Sequence, residues 1–116
     1  MPADYASALA LKLGFKMASA TTGNVIMIGR LAATTPGDTT DTDAKAFDAA
    51  NTSAATAVPA TTAGKLGEIS ITMTNADSVS AGDTIMLYVA RDGASGSDTA
   101  AGDLELVSVA LTYTTT

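Results

Sequence analysis

The chain has 116 residues, no cysteine and no histidine, and twelve acidic against six basic residues for a net charge of −6. That length suits one domain. The missing residue types exclude disulfides, Cys/His zinc sites, cysteine nucleophiles and every Ser-His-Asp arrangement.

Lys12, Lys16, Arg30, Lys45, Lys65 and Arg91 are scattered along the chain. Nucleic-acid binding needs clustered positive charge to displace counterions, so no nucleic-acid partner is expected. Aromatic residues make up 4% and Trp is absent. The core is therefore expected to come mostly from Leu, Ile, Val and Ala, and oligomerisation is one way to add buried area. Asp4 stands where a signal peptide has a basic region, and Lys12 and Lys16 interrupt the apolar run. No apolar stretch approaches the ~20 residues of a membrane helix. A soluble protein without a membrane partner is expected.

In chain order, residues 1–7 read as an extended arm, either frayed or reaching a neighbouring subunit. From Ala8 to Met17, Leu9, Leu11, Leu13, Phe15 and Met17 alternate with Ala10, Lys12, Gly14 and Lys16. That period of two predicts a half-buried strand. After a turn at residues 18–23, Asn24 to Ala33 predicts a second strand. Val25, Met27, Gly29 and Leu31 share one face, and Ile26 and Ile28 precede Arg30 on the other. A strand apolar on both faces is covered on both sides. Residues 34–63 form a long connection rich in Thr, Ala and Asp, within which Ala44 to Ala50 is assigned to an edge strand. Gly64 to Thr74 predicts a one-sided strand carrying Leu66, Ile69, Ile71 and Met73, with Gly67 permitting a bulge. Val79 is expected to pair briefly.

Thr84 to Arg91 and Asp103 to Tyr113 predict two strands joined as a hairpin by a Gly/Ser/Asp loop. The first is again apolar on both faces: Ile85, Leu87 and Val89 on one, Met86, Tyr88 and Ala90 on the other. The second changes phase. Leu104 and Leu106 have one parity, and Val107, Val109, Leu111 and Tyr113 the opposite one. A bulge near Leu106 or Val107 would restore a single inward face. The polar tail, residues 114–116, is expected to fray. Six to eight strands with no convincing helix imply an all-β fold, an antiparallel β-sandwich of jelly-roll type, spanning residues 1–116 as one domain.

No catalytic residue, cofactor or metal site is expected. Asp38, Asp41, Asp43 and Asp48 lack the order of a calcium loop and its closing Glu, and read as a solvated acidic loop. Asp92, Asp98 and Asp103 read as turn formers. Arg91 is available to pair with Asp92 or across the hairpin, fixing the loop. Glycoside hydrolysis would need a cleft with sugar-stacking aromatics, which these loops lack.

One ordered set of residues carries a resemblance: Ala81-Gly82-Asp83, a hydrophobic strand ending in Arg91-Asp92, a Gly/Ser loop with Asp98-Thr99, then Asp103, Leu106, Val109 and Tyr113. It resembles the small β-sandwich/jelly-roll module of tailed-bacteriophage virion proteins. The strand pair before residue 34 is similar to that family's opening hairpin, but its Pro, Trp and Gly-Thr-Val features are reduced here to ASATTGNV. The resemblance covers about half the chain. It implies a non-enzymatic structural protein forming trimers, or alternatively dimers. One small acidic domain with its own Met favours a capsid decoration (cement) protein, bound to the major capsid protein lattice on the outer surface of the virion. The alternative is a tail-fibre or receptor-binding head that attaches to host-surface glycan. Ile26, Ile28, Met86 and Tyr88 are the candidate subunit-interface residues. The competing expectation is that residues 34–63 fold over that face within one subunit.

Overall fold

A computed structural model describes residues 1–116 as eight strands and no helix. These are β1 (Tyr5–Met17), β2 (Asn24–Val25), β3 (Met27–Thr34), β4 (Asn51–Thr52), β5 (Thr56–Ala57), β6 (Gly67–Thr72), β7 (Thr84–Arg91) and β8 (Leu104–Thr115). All pairings are antiparallel. The sheet orders are β6-β1-β8, β4-β3-β7 and a two-stranded β2-β5. The architecture is an all-β antiparallel sandwich.

β1 organises the first sheet because its odd-numbered residues are apolar and its even ones are not. Leu9, Leu11, Leu13, Phe15 and Met17 are all buried. They meet Ile69, Ile71 and Met73 from β6 and its end, and Val25, Met27 and Leu31 from the opposite layer. The outer face of this sheet carries small residues and the exposed ion pairs Lys12–Glu68 and Lys16–Glu105, which add little stability.

Gly67 makes no bulge, since its register opposite Phe15 is regular. A Cβ there would lie 2.8 Å from the Phe15 ring, so the glycine makes room for the largest core side chain. Leu66, placed with the apolar row by sequence, is instead 69% exposed just before the strand. The expected bulge in β8 is present. Gly14 pairs with Ser108 and Phe15 with Leu106, leaving Val107 as the extra residue. Leu104, Leu106, Val109 and Leu111 then share the face of Met17, Phe15, Leu13 and Leu11.

Several expectations are corrected. β7 and β8 lie in different sheets, so their connection crosses the sandwich and is not a hairpin. β1 and β3 are likewise in opposite sheets. The predicted strand from Asn24 to Ala33 breaks at Ile26. The Ile26 N–H donates to Asp98 Oδ2 at 3.0 Å and its carbonyl accepts from the Asp92 N–H at 2.8 Å. These partners replace a neighbouring strand. Residues 44–50 form no strand. They are held to β3 by the Asp48 N–H on the Leu31 carbonyl (2.9 Å), with Arg30 donating to the Asp48 and Phe47 carbonyls. Val79 closes a turn onto Ala76.

Neither terminus is free. Tyr5 and Ser7 pair with Thr115 and Thr114. The Thr116 N–H donates to the Asp4 carbonyl at 3.0 Å, and the Tyr113 hydroxyl to Asp4 Oδ1 at 2.9 Å. The Met1 ammonium donates to the Asp83 carbonyl. The N-terminal arm is thus folded onto its own chain.

Candidate functional site

The four candidate interface residues do not form one surface. Ile26, at the strand break, is 5% exposed, with its peptide clamped by the 92–98 loop. Ile28, Met86 and Tyr88 lie on the outer face of the second sheet, where Ile28 pairs with Ala90, Arg30 with Tyr88 and Ala32 with Met86. The long connection covers part of this face. The Phe47 ring sits 5.8 Å from that of Tyr88, and the Arg30 guanidinium is 6.0 Å from both centroids. Arg30 is held there by the Phe47 and Asp48 carbonyls. A cation held over aromatic faces adds about 0.5–1 kcal/mol at a partly exposed site. Ile28 is half-buried beside Thr52. Met86 and Tyr88 keep 39% and 43% exposure, so the connection shields the face without closing it.

The same connection is anchored by polar groups. Asp77 Oδ2 accepts from the Ala33 N–H at 2.8 Å and from Lys45 at 3.0 Å, while Asp48 Oδ2 accepts from the Asp77 N–H at 2.8 Å. The Ala33 N–H, helped by Lys45, holds the Asp77 carboxyl below the usual carboxylate range. Buried Asn51 uses its whole amide. Nδ2 donates to the Gly29 and Asn75 carbonyls, and Oδ1 accepts from the Asn75 N–H and the Thr74 hydroxyl. Asp38 and Asp41 accept from the N–H groups of Thr40 and Asp43 in Asx turns. No three carboxylates lie close enough together to hold a metal ion.

The residues of the 92–103 loop are occupied in building it. Arg91 pairs with Asp98, not with Asp92. Its Nε donates to both carboxylate oxygens (3.2 and 3.0 Å) and its Nη2 to Oδ1 at 2.7 Å. Its remaining donors reach the Gly102 and Ala100 carbonyls, both at 2.6 Å. The Asp98 side chain is 2% exposed and that of Arg91 20%. The guanidinium holds the Asp98 carboxyl below its ordinary range despite burial. Asp98 holds the guanidinium pKa above its own. The Thr99 hydroxyl accepts from the Asn24 N–H at 2.9 Å, and the N–H groups of Thr99 and Ala100 donate back to the Asn24 carbonyl. The loop therefore fastens the end of β7 to the β2–β3 break.

Sequence parity does not reveal a further uncovered apolar region, along β8. Along the β7/β8 side the sandwich is open. Near its Arg91 end lies an open cleft of about 530 Å³ lined by Met27, Val89, Arg91, Leu104, Glu105 and Leu106. Leu106 and Val109 carry core parity, yet each is 45% exposed, and the bulged Val107 is 55% exposed. β8 pairs with β1 on one side, and its other edge is bare. The sequence signal available for this surface was the run from Leu106 to Thr116, which contains no charge.

The molecule is elongated for its size. Its radius of gyration is 15.7 Å, against about 13.4 Å for a compact chain of this length. No protein-family model, curated protein or solved structure matches the chain.

Proposed function

We propose that this protein is a non-enzymatic structural protein of a tailed-bacteriophage virion, a capsid decoration (cement) protein that binds the outer surface of the head shell and stabilises it. The identification with phage modules rests on the ordered residues from Ala81 to Tyr113. The observation that supports a structural role is the use made of that motif. Arg91, Asp98 and Thr99 are spent on fastening a loop, while apolar side chains of β7 and β8 remain uncovered.

The mechanism is burial across a lattice. Each 100 Å² of apolar surface removed from water contributes about 2.5 kcal/mol before the costs of ordering. A docked face of ordinary size, about 800 Å² on each partner, binds stably. A rigid module that touches more than one major capsid protein resists their separation as the shell is pressed from within. Shells lacking this protein, mixed with the purified chain, test the reading. Saturable co-sedimentation and a higher temperature of shell disruption are expected. Failure to bind the shells, with binding instead to tail tips or host glycan, would overturn it.

A further inference from the structure

We propose that the free edge of β8 is a seam between two copies of this chain, joined antiparallel about a two-fold axis at Ala110. The pairing does not depend on where the protein sits in a particle. Soluble proteins guard exposed strand edges with short strands, charges, prolines or a covering loop. The other outer strands of the two main sheets are shorter, and two of them are guarded in this way. β4 is two residues long and β6 carries Glu68, while β7 has eight residues and ends in Arg91, which is tied into the 92–103 loop. β8 has twelve residues, is paired on one side only, and beyond Glu105 has neither a charge nor a proline.

Charge selects the occupant. The chain carries −6, so two copies repel unless they meet where charge is absent, and residues 106–116 supply such a strip. A basic partner would find no counter-charge there. A two-fold at Ala110 sets Val109 opposite Leu111 of the partner copy on the core face. On the outer face it sets Ser108 opposite Thr112. In these central pairs apolar meets apolar and hydroxyl meets hydroxyl, the pairs that stabilise adjacent strands. The two Glu105 side chains fall at opposite ends of the seam, roughly 33 Å apart at strand rise, well beyond the ~8 Å screening length at physiological salt. The first sheet would continue through the axis as β6-β1-β8-β8-β1-β6, and Val109 and Leu106 would gain neighbours from the second copy.

Light scattering on the full chain over a concentration series, with oxidative cross-linking, tests this. A mass twice the 11.5 kDa of the chain is expected. Val109→Lys should raise the dissociation constant at least tenfold while the circular dichroism of the fold is kept. Leu66→Lys, at an exposed leucine away from the seam, should leave it unchanged. Because the chain has no cysteine, Ala110→Cys should form an intermolecular disulfide under mild oxidation, since its own copy lies across the axis within the Cα separation a disulfide spans, about 5.5 Å. Thr112→Cys, about four residues from its copy along the strand, should not. A monomer at every concentration, a trimer, or equal cross-linking of both cysteine variants would each overturn the two-fold seam.

Discussion

Replacing Asp98 by alanine removes the group on which the 92–103 loop closes. The Asp98 carboxylate receives three contacts from Arg91 and one from the Ile26 N–H, with its side chain 2% exposed. Breaking a buried ion pair by deleting one partner costs about 3–5 kcal/mol, because the other charge is left uncompensated. Arg91 keeps its two carbonyl partners and is one-fifth exposed, so the low end applies, about 3 kcal/mol. Asp98→Asn keeps an acceptor for Ile26 and loses the charge, and should cost about 1.5–2 kcal/mol. Domains of this kind have about 5–15 kcal/mol in total, so both variants remain measurable by urea unfolding, with a lower midpoint and an unchanged slope.

The pH dependence has a definite sign. The folded Asp98 carboxyl lies below its ordinary value, held there first by Arg91. Its contribution is therefore full above the unfolded pKa of about 3.9 and is lost as pH falls through the lower folded value. The gap between wild type and Asp98→Ala should be constant from about pH 5 to 7 and shrink below about pH 4. A cost under about 1 kcal/mol at pH 7, typical of an exposed pair, would refute the reasoning. So would a gap that does not shrink at all on full protonation.

Two further substitutions probe the frame. Asn51→Ala would strand the Asn75 N–H and two carbonyls at a buried position, and should cost about 2–3 kcal/mol in chemical unfolding. Ala8 adopts a φ of 57° within an irregular stretch of β1, a conformation that costs an L-residue about 1–2 kcal/mol and glycine little. After the added freedom of the unfolded chain is subtracted, Ala8→Gly should raise stability by up to about 1 kcal/mol, visible as a melting temperature higher by a few degrees.

What could be read from the sequence follows the range of the interactions. β1 and β6 are legible because their apolar residues repeat every second position and one face meets water. The Val107 bulge is legible because a phase change within a strand has few other resolutions. The break at Ile26 is not, because it depends on a carboxylate 72 residues away. The assignment of residues 44–50 to a strand fails for a similar reason, since Arg30 and Leu31 capture that segment through isolated hydrogen bonds and no ladder forms. Proximity in sequence suggests a β7–β8 hairpin, yet β8 pairs with β1, at the other end of the chain. The candidate surface shifts with it. Tyr88 is partly shielded by Phe47 and Arg30, and a further uncovered region lies along β8, where the core-parity side chains Leu106 and Val109 are each 45% exposed.

The most direct test of the proposed role is the position of this protein in an intact particle, mapped by cryo-electron microscopy with a specific antibody fragment bound. The account predicts density at regular sites on the outer surface of the head, and none on the tail. Density confined to the tail tip, or absence from the particle, would contradict it.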